Sequence, residues 1–242
     1  MTRDYVGEAL DNEHRAYAYS FDYEVMHPLM MRAFSPHFVG QSVLEIGSFE
    51  GRFTELLLQR FPRVTCIEAS PDAARIARER LGSKAEIHCV EIEQWETIDR
   101  FENIVLTHVL EHVIDPVAVL QAVAERLLAP GGRVFVACPN ANAASRRIAV
   151  IMGLISHHSA VTAGEALHGH QRTYSLDTLR RDVVAAGLSP LEQSGIFFKQ
   201  FANFQWDAIL PLGIVSDDFI NASYLLGREY PDLCASIFVV AK

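Results

Sequence analysis

Short apolar runs alternate along this chain with segments of helical period, and the alternation starts abruptly at residue 43. Val43–Ile46, Val64–Glu68, Ala85–Val90, Asn103–Thr107 and Arg133–Cys138 read as buried strands. Arg52–Arg60 reads as a helix between the first two. Ser70-Pro71-Asp72 carries a cap, a first-turn proline and a first-turn acid, so it predicts a helix running to Leu81-Gly82. Asp115-Pro116 starts another, with Val119, Leu120, Val123 and Leu127 on one face. Ala129-Pro130-Gly131-Gly132 predicts a turn into the fifth strand. Strands alternating with helices imply a parallel sheet covered on both faces, with ligand beyond the carboxyl ends of the strands.

The regularity lapses at 140–174, a helix-like piece and a loop rich in His and Gly. It resumes with a helix over Ser175–Ala186 and a sixth strand over Leu188–Phe198. Residues 199–231 are irregular and aromatic, and Ser236–Ala241 closes as a strand. Both irregular segments are expected to cap the substrate side; the alternative is contact with a second copy in a homodimer. Residues 1–40 are an aromatic prelude with a helical stretch at Val25–Phe34, read either as a lid over the nucleotide site or as a surface helix. The whole, 1–242, reads as one domain.

The chemistry concentrates in Val43-Leu44-Glu45-Ile46-Gly47-Ser48-Phe49-Glu50-Gly51 and in Glu68, 21 positions after Gly47 (68 − 47). Strand, glycine loop, helix, strand and acid describe a nucleotide pocket, the acid being placed to accept from both ribose hydroxyls. A dinucleotide site would show G-x-G-x-x-G. Here the order is Glu-x-Gly-x-x-x-Gly, and Glu45 at the loop entrance would repel pyrophosphate. S-adenosylmethionine, with an ammonium, a sulfonium and no phosphate, suits the charge better than NAD.

Composition narrows the partners. The 242 residues are 50% hydrophobic and carry a formal net charge of −9, which opposes nucleic acid and anionic membranes. Cys66, Cys89, Cys138 and Cys234 form no C-x-x-C pair and read as reduced thiols of a cytoplasmic protein. Met1–Glu13 is too polar for a signal peptide, and Ile148–Ile155 is too short to span a bilayer.

Together these residues resemble the class I S-adenosylmethionine-dependent methyltransferases, from about Val43 to Lys242. Val43–Gly51 resembles the family's first motif, and Cys66-Ile67-Glu68-Ala69-Ser70 the second-strand motif. Val90-Glu91-Ile92-Glu93 resembles the adenine-flanking segment. Phe101–Pro116 with Leu128-Ala129-Pro130-Gly131-Gly132 is similar to the subgroup of ubiquinone-pathway, sugar and natural-product methyltransferases. The resemblance implies a Rossmann-like, seven-stranded α/β sheet whose last strand is antiparallel. It implies Glu45, Gly47, Ser48 and Gly51 around the methionine part, Glu68 on ribose, Ala69, Glu91 and Ile92 flanking adenine, and Thr107 and His108 beneath the sulfonium. The commonest first motif is D-x-G-x-G-x-G; here Phe49 replaces the middle glycine, which predicts a differently shaped loop. For Glu91 a solvated acid in a charged run is the competing reading.

The expected activity is methyl transfer to a small molecule, an O- or N-position of a natural-product intermediate or sugar. His168, His170 and His108 are the candidate bases or substrate contacts, with surface loop histidines as the alternative. Phe197, Phe198, Phe201, Phe204 and Trp206 are expected to line an apolar pocket or a subunit contact. Rival readings are a non-catalytic S-adenosylmethionine-binding or scaffold protein, a nicotinamide-dependent dehydrogenase and, from His108-Val109-Leu110-Glu111-His112, an H-x-x-E-H zinc peptidase. Relatives with E-x-x-E-H at this place hold a divalent ion. By that resemblance His108, Glu111 and His112 would form the set, with capping of the turn by Glu111-His112 as the competing role, and no metal ligand is assigned.

Overall fold

The computed structural model describes residues 3–242. In chain order, α1 (Tyr5–Glu8) and α2 (His27–Phe34) precede β1 (Ser42–Ile46). Then come α3 (Arg52–Leu58), β2 (Arg63–Glu68), α4 (Pro71–Leu81), β3 (Glu86–Cys89), β4 (Phe101–Thr107), α5 (Pro116–Ala122) and β5 (Leu128–Pro139). They are followed by α6 (Ala144–Ile151), α7 (Ala163–Leu167), α8 (Leu176–Ala185), β6 (Pro190–Phe198), α9 (Asn203–Ile209), α10 (Asp217–Glu229) and β7 (Cys234–Ala241). The strands form one sheet in the order β3-β2-β1-β4-β5-β7-β6, and β7 runs antiparallel to both its neighbours. Because the order reverses between β1 and β4, the strand tips open a crevice there.

Strand residues are buried on both sides, which is why the strands read as continuous apolar runs. Leu44, Ile46, Ile104, Leu106, Val134 and Val136 pack on one face against Leu120 of α5 and Leu179 of α8. Val43, Cys66, Val105, Phe135 and Phe238 pack on the other against Met30 and Phe34 of α2 and Leu57 of α3. Each fully buried aliphatic or aromatic side chain contributes about 1.5–3 kcal/mol, and this two-sided burial outweighs any single polar contact.

The helix at Pro71 forms as its cap predicts: the Ser70 hydroxyl accepts from the Ala73 N–H. Asp115 caps α5 in the same way. Three elements differ from the sequence reading. β5 begins at Leu128, because Leu128 pairs with Phe101 before a register shift, so the expected turn at 129–132 is an irregular strand. The prelude divides, since Leu29, Met30, Ala33 and Phe34 of α2 are core residues and neither a lid nor a surface helix. The first two residues of the expected lid lie outside the described residues. Finally, 199–231 contains α9 and α10. The inward side of α10 is Ser223, Tyr224 and Gly227, too polar to show a helical apolar period. A Cβ on Gly227 would lie 2.7 Å from Cys234 Sγ, so only glycine lets α10 sit against the sheet edge. No helix among the described residues is long and apolar enough to cross a membrane.

Asn103, with no exposed surface, pins the segment before β1 to β4. Its amide donates to the carbonyls of Val39 (2.5 Å) and Ser42 (2.9 Å), and its carbonyl accepts from Val39 N–H (3.0 Å). Asn103→Ala is expected to lower unfolding free energy by about 2–4 kcal/mol, since buried backbone groups lose their partner. A urea midpoint within experimental error of the parent, at the same slope, would show that the clamp contributes nothing.

Candidate functional site

The loop after β1 keeps three left-handed residues: Gly47 (φ 78°), Phe49 (φ 47°) and Gly51 (φ 80°). At Gly47 a Cβ would lie 2.6 Å from Val109 Cγ2, and at Gly51 2.8 Å from Leu81 Cδ1. Position 49 is left-handed as well, a backbone region that favours glycine, although a phenylalanine occupies it. The strain, about 1–3 kcal/mol for a non-glycine residue, is offset locally. Phe49 N–H donates to Glu68 Oε2 at 2.7 Å, and the Phe49 ring packs 4.8 Å from that of Tyr17. Glu68 Oε1 accepts from Ser70 N–H, also at 2.7 Å. Burial raises the Glu68 carboxyl, while N–H groups of Ser70, Phe49 and Ala69 oppose the rise. Each oxygen keeps a further lone pair for a ligand hydroxyl.

Glu45 is 1% exposed and accepts from Thr54 Oγ1 at 2.6 Å. Burial pushes its carboxyl up to about 7. Ser48 Oγ is buried without a partner. Glu45, Gly47, Ser48, Thr107 and His108 line a cleft of about 420 Å³ over the strand tips. Gly51, Glu68, Ala69, Glu91 and Ile92 do not line it. Gly51 is the left-handed residue that starts α3, and Ile92 packs against the core. Glu91 follows β3 and accepts from Gln94.

His108, at the end of β4, has φ 56°, and its Nε2 lies 3.0 Å from Ser236 Oγ of β7. Burial, aided by His27, His170, Lys199 and Arg15, lowers its pKa to about 3, so the ring is neutral. The chain from His108 to Ile114 forms no helix, which removes the geometry an H-x-x-E-H peptidase needs. Ligand atoms of Glu111, His112 and His170 lie within 4.8 Å of one another. Both Glu111 oxygens are buried without a hydrogen-bond partner. Burial raises the Glu111 carboxyl to about 8 and lowers His170 to about 4. An orphaned carboxylate beside two neutral imidazoles fits a transition-metal ion. The grouping corrects the expected set: His170 stands where His108 was expected, because His108 turns to Ser236.

His168 is not placed as a base. It is 2% exposed; its Nδ1 donates to Glu8 O at 2.9 Å, which leaves Nε2 to accept from Asn12 Nδ2 at 3.0 Å. It ties the N-terminal segment down. Arg3 donates to His112 O at 2.7 Å, Tyr17 meets His168 edge-on at 5.2 Å, and Asp207 accepts from Phe21 N–H at 2.7 Å. Residues 3–21 thus form a strap across the cleft.

Sequence reasoning missed the polar wall on the β6 side. Lys199, just after β6, donates to Asn203 Oδ1 at 2.6 Å. Asn203 donates to both oxygens of Asp22, at 2.9 and 3.1 Å. Arg146 makes a two-pronged pair with Glu165 (2.6 and 3.2 Å), and Arg15 lies 3.7 Å from the same carboxylate. Burial alone would raise Glu165, but Arg146 brings it down to about 2. These residues come from four distant segments, and only the scarcity of lysine (Lys84, Lys199 and Lys242) could have drawn attention to one of them. The aromatic group dissolves as a pocket. Phe197 and Trp206 are buried with Phe21, Phe201 is 44% exposed, and of the five only Phe204 lines the cleft.

Residues 13–193 match the family model described as a methyltransferase domain. The chain is 25% identical over 198 residues to the ubiquinone biosynthesis O-methyltransferase of Idiomarina loihiensis, covering 80% of this chain and 76% of the relative. It is 30% identical over 169 residues to the enzyme of that name from Aeromonas salmonicida, covering 68% and 69%. Its fold is similar to that of an S-adenosylmethionine-dependent methyltransferase from Thermotoga maritima, with TM-score 0.64, 17% identity and 92% of each chain covered.

If His168 is the strap's anchor, His168→Ala should loosen residues 3–21 by about 1–3 kcal/mol and raise their protease cleavage roughly tenfold or more. Unchanged cleavage would remove the anchoring role. Glu45 generates a pH effect. A glutamate in the unfolded chain titrates near 4.5, whereas folded Glu45 holds its proton to about 7. Between those values the folded state binds more protons, so its contribution is full below 4.5 and is lost as pH rises through 7. Glu45→Gln should flatten the fall in melting temperature across that window; an identical pH profile in parent and variant would contradict the assignment.

Proposed function

The chain belongs to the methyltransferase-domain family and takes S-adenosylmethionine as its cofactor, and on that premise we propose that it methylates a hydroxyl oxygen of a small molecule. The observation that carries this reading is the adjoining of two groups in one cleft at the β1/β4 crevice: Glu45, Gly47 and Ser48 on one side, and neutral His108 with Ser236 on the other. The choice of oxygen draws support from the two O-methyltransferase relatives.

S-adenosylmethionine brings a methyl group already activated on a sulfonium. The residues here fit it. Glu45 and Ser48 offer a buried carboxylate and an unpartnered hydroxyl to the amino-acid end, and Glu68 offers lone pairs to ribose hydroxyls. The protein's work is alignment and exclusion of water: an acceptor lone pair must approach the methyl carbon in line with the departing sulfur. The strap of residues 3–21 supplies the exclusion, so the lid function rests with this segment alone. As the O–C bond forms and the C–S electron pair returns to sulfur, the hydroxyl proton must leave. His108 is the proton acceptor in this reading, its ring oriented by Ser236. Glu111, His112 and His170 would hold a divalent cation, which would supply Lewis acidity to an acceptor oxygen bound to it.

Calorimetry with S-adenosylhomocysteine and methyl-label transfer to catechol-like and sugar hydroxyls test this. Glu68→Ala should weaken cofactor binding by about 1–3 kcal/mol, and Gly47→Val should weaken it further by driving a side chain onto Val109. His108→Ala should lower turnover by about 10²-fold or more with cofactor affinity intact. Parent-like binding by both loop variants would sink the cofactor placement, and parent-like turnover by the His108 variant would remove its role.

A further inference from the structure

The proton acceptor and the cofactor loop leave the β6 end of the cleft unexplained. Its lining is ionic. Lys199, Asp22, Arg15, Arg146 and Glu165 all face the same space. Three cations stand against two carboxylates in a chain whose formal net charge is −9. Arg146 and Arg15 share Glu165, but Lys199 forms no salt bridge among the described residues. Its one hydrogen bond goes to the neutral amide of Asn203, which separates it from Asp22. An ammonium has three donors, so two remain for a ligand. Asp22 attracts this half-buried charge only across Asn203 and forms no direct ion pair with it, and proteins keep such groups where a ligand completes the pairing.

Backbone strain points the same way. Phe197, fully buried in β6, has φ 66°, a left-handed conformation that bulky residues rarely adopt. The irregularity lies two residues before Lys199, where β6 leaves the sheet. Strain of this sort persists where the surrounding structure enforces it, and it clusters beside binding groups. Ring packing of Phe197 with Phe21 (5.6 Å) and Trp206 (5.4 Å) holds it in place.

We propose that Lys199, positioned by Asn203 and backed by Arg15, binds an anionic group, a carboxylate or a phosphate, on the methyl acceptor. This deepens the reading above by assigning a substrate class to the same cleft. The sheet order assigns the anion to the acceptor rather than to the cofactor's own carboxylate. The Gly47–Gly51 loop and Glu68 crown β1 and β2, whereas Lys199 follows β6 at the opposite edge, with β4, β5 and β7 between. His108 bonded to Ser236 marks the boundary between the two halves. An acceptor anchored by its anion at Lys199 would extend its hydroxyl toward His108.

Benzoate, phenyl phosphate and benzamide share one ring and differ in charge, so they serve as probes. Each is titrated by calorimetry into the full chain, with and without saturating S-adenosylhomocysteine. Benzoate or phenyl phosphate should bind at least tenfold more tightly than benzamide, the stronger of the two naming the preferred anion. The preference should vanish in Lys199→Met and Lys199→Gln, two variants of similar length chosen so that one misfolded protein does not decide the matter. Benzoate should also shield Lys199 of the parent from an amine-acylating reagent while benzamide does not. Equal binding of all three probes, binding of none, or a preference that survives both substitutions overturns the proposal. Competition between benzoate and S-adenosylhomocysteine would reassign Lys199 to the cofactor and overturn it equally. Failure of S-adenosylhomocysteine itself to bind would count against the cofactor placement and would leave the anion titration readable on its own.

Discussion

Two backbone N–H groups converge on one buried carboxylate, and the site is organised around that clasp. Glu68 ends β2 and holds the N–H of Phe49 and of Ser70. It therefore ties the glycine loop to the tip of the second strand and starts α4 at the same time. Without it, a left-handed phenylalanine at position 49 would have little to hold it. Charge-assisted hydrogen bonds of this kind are about twice as strong as neutral ones, which is enough to carry the local strain. The same carboxylate retains lone pairs for a ribose, so the group that shapes the loop is also the group that would read the nucleoside.

The sheet then separates tasks by strand order. β1 and β2 present the loop and the acid, β4 and β7 present His108 and Ser236, and β6 leads to Lys199. The reversal of order between β1 and β4 opens the crevice, and the antiparallel β7 brings Ser236 to the same rim as the parallel strand tips. The strap of residues 3–21 crosses these groups and is anchored on both halves, through His168 on one side and Asp207 on the other. Closure of such a strap strengthens every charge beneath it by removing water.

Burial decides the protonation states in the cleft more than any single neighbour does. His108, His112 and His170 are all held neutral by desolvation; other basic groups add to it at His108 and His112, while at His170 the Glu165 carboxylate opposes it. Glu45 and Glu111 are pushed upward by the same cause. The neutral titratable groups around His108 and Glu111 are poised to gain charge when a cationic cofactor or a metal ion arrives, while the β6 end of the same cleft is already ionic. That is the electrostatic complement of a reaction that transfers a methyl cation equivalent and releases a proton.

Local order was legible where the chemistry is local. The apolar runs, the Ser70 and Asp115 caps and the spacing from Gly47 to Glu68 depend on neighbours within about one element, so the strand and helix sequence, the fold class and the glycine loop could be read directly. The resemblance at Leu110–His112 likewise named two of the three residues whose ligand atoms come together, Glu111 and His112. What could not be read depends on contacts between distant segments. His168 read as a candidate base, with a surface loop histidine as the alternative, until Glu8 and Asn12, some 160 positions away, took both its nitrogens. His170 joins Glu111 and His112 because two loops meet over β4 and β5. α10 hides because it packs through Ser223 and Gly227 instead of through an apolar stripe. Lys199 gains its meaning from Asn203, Asp22 and the strained Phe197, none of which marks it in the chain. Periodicity and spacing determined the elements and the glycine loop, since those follow from backbone geometry repeated every few residues. The tertiary structure alone decided which side chains share the cleft, because desolvation and charge pairing act through space and leave no period in the sequence.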